Sequence, residues 1–367
     1  MKMLMIAFGA LLVFGCTSRD RTSSTMVDPT RIQTYTLSNK MGVEVTLTNF
    51  GGKVISLFVP DREGNFDDVV LGYDSVTQYV SGNPYFGALI GRYANRIANS
   101  EFGLDGENYQ LAANNDKHAL HGGPNGFHNV IWDAKEFEGE QGNSLELSYV
   151  SEDGEEGYPG EVSVMVRYTL TESNELIIDY RASTSKSTPI NLTHHSFFNL
   201  AGEGTGEILG HELRINAEYF TPVDEALIPT GELQPVAGTP FDFREVHTIG
   251  ERIAEEHQQL AYGNGYDHNF VINKEGLLFS MAAFVREPAS GRTMEVWTTE
   301  PGLQFYSGNF LDGSDVGKGG KRYGVRSAFC LEAQHFPNSP NEPIFPNTIL
   351  RPGEEYRQKT LYRFGVE

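Results

Sequence analysis

The sequence predicts an all-β protein: one large antiparallel β-sandwich with few short helices. Three observations carry that expectation. Apolar and polar residues alternate with period two in several runs, the pattern of a strand with one face buried and one solvated. Glycine supplies 40 of 367 residues, above the ~7% usual in soluble domains, which implies many tight turns. Clusters of turn-forming residues separate the alternating runs.

The chain opens differently. Met1-Lys2 is a short basic start, and residues 3–14 form an apolar run broken by Gly9. The run is shorter than the ~20 residues of a membrane span and fits the centre of a secretory signal. Gly15-Cys16, followed by Thr17-Ser18, resembles a bacterial lipoprotein signal, in which a small residue precedes the cysteine that carries lipid. Residues 1–16 are therefore expected to be a leader with Cys16 as the lipidation site, in an exported, periplasmic or cell-envelope protein. Phe14 is larger than that pattern prefers, and an ordinary cleaved signal with an incidental Cys16 is the alternative. Residues 17–29 are small and polar and suit a flexible tether. No Pro/Ser-rich linker or repeat divides residues 30–367, which are read as a single domain.

Within that domain Val43–Leu47, Leu145–Tyr149, Val162–Tyr168 and Leu213–Ile215 alternate as strands. Asp61–Asn65, Glu172–Asn174 and Pro288–Gly291 read as the turns between strands. Helical patterning is scarce. Thr248–Leu260 is the best helix candidate, and Ser75–Val80 reads as one short turn. Cys330, between Phe329 and Leu331, reads as a small buried hydrophobe. A lipidated Cys16 leaves it no partner for an intramolecular disulfide, since the chain has two cysteines.

Composition narrows the function. The net charge of −21 repels a polymer of phosphates, so nucleic acid is excluded as a partner. Aromatic residues at 11% and hydrophobic residues at 39% exclude a disordered chain. The ten histidines show no His-x-x-x-His pair on a plausible helix and no Cys pair, so no metal is expected. Gly-x-Ser-x-Gly is missing, which argues against nucleophilic hydrolysis.

Five polar clusters sit at strand or turn positions: Gly91–Ile97, His118–Gly123, Asn191–Leu200, Tyr266–Phe270 and Ala328–Pro337. The adjacent His194 and His195 on a strand point to opposite faces, so they cannot share a metal, and one of them faces a cleft. Glu332 lies in an otherwise apolar strand-like stretch. A carboxylate there is costly unless used, and burial raises its pKa and makes it a stronger proton acceptor.

These clusters, with Asp153–Gly160, come in the order found in the aldose 1-epimerase (galactose mutarotase) family, and the sequence resembles that family over residues ~35 to 365. The resemblance implies a large β-sandwich with a sugar in an open cleft. It implies cofactor-free interconversion of α and β anomers of free aldoses by ring opening and reclosure. Glu332 matches the proton acceptor and His195 the proton donor. Asn95, Arg96, His121, Asp267 and Gln304 match sugar contacts, and Phe197 an apolar wall. Arg92 and His194, in the same motifs, are expected to be structural. The implied partners are small neutral sugars such as galactose, glucose or pentoses, with the membrane reached through the lipid anchor alone. The expected state is a monomer or weak dimer. Two other readings are a membrane-anchored sugar-binding module without turnover and a hexose-6-phosphate 1-epimerase. The presence of both proton-transfer residues argues against the first. The acidic balance and Asp267 argue against the second, since phosphate calls for an Arg cluster.

Overall fold

The protein is described as a computed structural model covering residues 28–83, 85–139 and 141–367. The leader (1–16) and its Cys16, and most of the tether, lie outside the described residues. Asp28 and Pro29, read as tether, already belong to the folded chain: Pro29–Arg31 is a 3-10 turn whose first residues are capped by the Asp28 carboxylate.

The alternating runs become strands as their period requires. Val45 and Leu47 point inward from strand Glu44–Thr48 and are fully buried. Strand Val162–Thr171 buries Val162, Val164, Val166 and Tyr168, while Ser163 and Arg167 face water. The expected turns fall at strand connections. Strands Thr34–Ser38, Glu44–Thr48, Val54–Pro60 and Phe66–Asp68 form a four-stranded meander. The main layer is a nine-stranded sheet that runs from Asp133–Gly139 through Gly142–Ser151, Val162–Thr171, Glu175–Thr184, Tyr356–Val366, Arg292–Thr298, Ser280–Arg286 and Glu212–Ile215 to His247–Thr248. Its neighbours pair antiparallel throughout.

A five-stranded sheet lies against it, in the order Gln234–Pro235, Ala217–Phe220, Asp267–Ile272, Gly302–Tyr306, Cys330–Gln334. Strand side chains alternate between faces, and here both faces are used. Phe270, Leu303, Phe305, Leu331 and Ala333 join the same core as Val296, Tyr362 and Phe364 of the large sheet. Each fully buried side chain of this size contributes ~1.5–3 kcal/mol. The layers are also bolted by hydrogen bonds: Tyr362 donates its hydroxyl to the Leu331 carbonyl at 3.1 Å, and the Gln358 amide donates to Ala333 at 3.1 Å. The opposite face of the same strands carries Asp267, Gln304 and Glu332 in adjacent register.

The expected helix over Thr248–Leu260 does not form. Thr248 is held in a strand pair with Glu212, residues 249–256 are turns, and a short helix occupies Gln258–Gly263. Two local bonds compete with the helix. Arg252 spends its guanidinium on the Asp242 carbonyl at 2.7 Å, and His257 restarts the chain as an N-cap by accepting from the Gln259 N–H. The turn expected near Ser75 is a one-turn helix at Gln78–Ser81.

Candidate active site

Strand Cys330–Gln334 presents Glu332 opposite Gln304 of Gly302–Tyr306, which in turn lies beside strand Asp267–Ile272. Strand Thr193–His195 crosses above, tied by the Thr193 hydroxyl to the Ala333 carbonyl at 2.7 Å. This brings His195 over the carboxylate, with its Nε2 3.5 Å from Glu332 Oε1. Alternation sends His194 the other way, where it meets the Ser196 hydroxyl at 2.7 Å and the Tyr168 hydroxyl at 3.3 Å. His194 is structural, as expected. So is Arg92, which is 2% exposed and donates to Ser151 Oγ and to the carbonyls of Ser151, Glu152, Pro159 and Gly160. It ties the Asp153–Gly160 loop to the Gly91–Ile97 segment.

Asn95 and His121 are positioned by one reciprocal pair. The Asn95 N–H donates to His121 Nδ1 at 3.1 Å, and the His121 N–H donates to the Asn95 carbonyl at 3.0 Å. Both residues sit at positive φ, 63° and 52°, a conformation few non-glycine residues adopt. Gly122 next to them has no alternative: a Cβ there would lie 1.9 Å from the Gly91 carbonyl oxygen. Arg96 is braced by its Nε donating to Asn115 at 3.0 Å.

These groups surround a cavity of about 250 Å3. Asn95, Arg96, His121, His195, Phe197, Asp267 and Glu332 all line it. Gln304 sits directly opposite Glu332 and donates its amide to Asp267 Oδ1 at 2.7 Å, while its Oε1 is buried without a hydrogen-bond partner among the described residues. Tyr85, Tyr306 and Phe310 also line the cavity and were not anticipated. Nothing in the sequence sets these three aromatic residues apart from the chain's other aromatics.

Burial dominates the electrostatics. Glu332 is 2% exposed, and burial, reinforced by the Asp267 charge and opposed by Arg96, pushes its carboxyl well above the usual carboxylate range. Asp267 is raised by burial and eased by Arg96 and Gln304. Burial pulls the His195 imidazole down to about 4 and the His121 imidazole well below its ordinary 6.5. Burial thus favours the uncharged form of each group, while Arg96 favours the charged carboxylate.

His121, His195 and Glu332 offer donor atoms within 4.8 Å of one another, a convergence the sequence spacing did not announce. Hydrogen bonding argues against a cation there. His121 Nδ1 already accepts the Asn95 N–H, so neutral His121 carries its proton on Nε2 and presents a donor to the cleft.

An imidazole facing a buried carboxylate in one cleft of a β-sandwich is an arrangement suited to general acid–base chemistry. Comparison with known proteins specifies the chemistry. The profile of the family described as Aldose 1-epimerase matches residues 33–363. Galactose mutarotase of Sus scrofa is 49% identical over 324 residues, 88% of this chain and 92% of the relative. Aldose 1-epimerase of Escherichia coli is 39% identical over 335 residues, 90% and 95% of the two chains. Among solved structures, a GalM/aldose epimerase homologue from C. elegans superposes with a TM-score of 0.83 at 32% identity, covering 91% of this chain and 99% of its own. The chain belongs to the aldose 1-epimerase family and is an isomerase that interconverts the α and β anomers of aldoses.

Proposed function

We propose that Glu332 and His195 carry both proton transfers of this isomerisation, on free neutral sugars such as galactose and glucose. The observation that supports the reading is their pairing: a carboxylate and an imidazole 3.5 Å apart, both buried, both lining one cleft.

Glu332 takes the proton of the C1 hydroxyl. The C1–O5 bond breaks with its electron pair on the ring oxygen, which takes a proton from His195. The open-chain aldehyde turns about C1–C2. His195 then recovers the proton from the C5 hydroxyl as it attacks the other face of the carbonyl, and Glu332 returns its proton to O1. No atom is gained or lost. Before ring opening the pair is carboxylate and imidazolium; while the sugar is open it is carboxylic acid and neutral imidazole. Burial stabilises the second state, and Arg96 supports the first. Opposed influences of this kind keep a reversible proton transfer from stalling on either side.

Around the reacting end, His121 presents its Nε2–H as a donor, Asp267 accepts from sugar hydroxyls with Gln304 behind it, and Phe197 supplies an apolar wall. Among the described lining residues Arg96 is the cation, set against two carboxylates, which disfavours a sugar phosphate. Polarimetry of freshly dissolved α-D-galactose and α-D-glucose tests the reading. Faster relaxation to an unchanged equilibrium rotation is expected, and no acceleration on either sugar or on pentoses would leave a binding module without turnover.

The site of action is proposed as the cell envelope, with Cys16 as a lipid anchor, on the strength of the leader sequence. Labelling with a fatty acid and fractionation test this. Unprocessed protein in the cytosol would refute it.

A further inference from the structure

Catalytic histidines are ordinarily oriented by a hydrogen bond to the ring nitrogen that does not react. His195 receives none from another residue: its Nδ1 is buried and, among the described residues, meets nothing beyond its own backbone. Two aromatic rings hold it instead. Phe197 lies 5.0 Å from it, centroid to centroid, at an interplanar angle of 22°, and Tyr85 lies 5.8 Å from it at 20°. Both rings lie near-parallel to one imidazole, each in the range for offset stacking.

Tyr85 is itself fixed. Its ring meets His121 at 4.8 Å and His128 at 5.1 Å. Its backbone N–H donates to Asn83 Oδ1 at 3.0 Å, and its carbonyl accepts from the Ala88 N–H at 3.1 Å. Two residues on, the Gly87 N–H donates to the carbonyl of His195 at 3.1 Å. Gly87 has φ 67°, and a Cβ there would lie 2.1 Å from the Val54 carbonyl oxygen, so this turn requires glycine. The chain that carries Tyr85 is therefore bonded to the backbone of the residue whose ring Tyr85 covers.

We propose that Tyr85 is a positioning residue for the proton donor: with Phe197 it clamps the His195 imidazole in the plane that aims Nε2 into the cleft, and its ring face offsets the charge of the imidazolium when His195 holds the proton. The second role follows from the attraction of cations to aromatic faces. The ring, and not the hydroxyl, does the work. The inference rests on His195 being the proton donor.

The test compares wild type, Tyr85→Phe and Tyr85→Leu in galactose mutarotation, with NMR of the protein labelled at histidine. Tyr85→Phe should keep kcat within about threefold. Tyr85→Leu should lower kcat about tenfold or more with KM changed less than about threefold. In the spectra, the His195 ring protons should be displaced upfield by the flanking rings in wild type and in Tyr85→Phe, and should move back in Tyr85→Leu. The proposal is overturned if Tyr85→Leu keeps its kcat, if its loss falls on KM, or if Tyr85→Phe fails as badly. A wild-type His195 resonance at its unstacked position overturns it as well, whether or not the leucine variant folds. Absence of turnover in wild type with the ring shift intact would instead strike the proposed function and leave the clamp standing.

Discussion

Replacing Lys53 with methionine should stabilise this protein. Lys53 is fully buried, its ammonium donates to the His128 carbonyl, and the Phe50 ring centroid lies 4.2 Å away. Among the described residues no carboxylate pairs with it. An ammonium has three donors to satisfy, and burial pulls its pKa from 10.5 to about 7. Between those values the unfolded chain holds a proton that the folded chain does not, so stability rises with pH across that window and the penalty is complete below it. At pH 7 the penalty is about 4 kcal/mol. Methionine carries no charge but leaves the His128 carbonyl without its donor, a cost of about 1–3 kcal/mol. Lys53→Met is therefore expected to gain about 1–3 kcal/mol at pH 7, and the gain should shrink by about 2 kcal/mol by about pH 9. Urea unfolding of both proteins at the two pH values measures it. A variant less stable than wild type, or a difference that does not change with pH, would refute the reasoning.

Three further outcomes concern the site. His195→Asn should lose the ~10²–10⁴-fold that a positioned acid contributes; a loss below about tenfold would make His121 the donor. The pH profile of kcat/KM should be flat through mildly acidic pH. Its acid limb belongs near His195's value of about 4, below which both groups of the pair are protonated and no base remains. Its alkaline limb falls where Glu332, raised by burial, gives up the shared proton and leaves no acid. A drop centred near the ordinary histidine value of 6.5 would contradict this. Asp267→Ala should raise KM about tenfold or more and affect kcat less, and an unchanged KM would remove it from the binding set.

Much of this architecture was legible in the sequence, for a physical reason. A strand with one wet face must alternate, and Val162–Tyr168 does so residue by residue. Glu332 stood out because a carboxylate among Cys330, Leu331 and Ala333 is expensive to bury. Its pairing with His195 came from the family resemblance, since no spacing rule links residues on separate strands so far apart in the chain. That Gln304 also braces Asp267 was not legible, because the two residues sit on separate strands. Tyr85 was silent because nothing in its sequence context separates it from a core aromatic. Lys53 follows two glycines, a context that gives no sign of burial, yet it is fully buried and bonds the His128 carbonyl. The segment at 248–260 has helical spacing, but a strand pair at its start and the His257 cap near its end divide it.

The central claim is that one buried carboxylate drives anomer interconversion. Polarimetry of fresh α-D-galactose with wild type beside Glu332→Gln addresses it directly, because the change keeps shape and removes the base. The account predicts accelerated relaxation by wild type and none above the spontaneous rate by the variant, with the fold intact by circular dichroism. A Glu332→Gln protein that relaxes the sugar at close to the wild-type rate would contradict it.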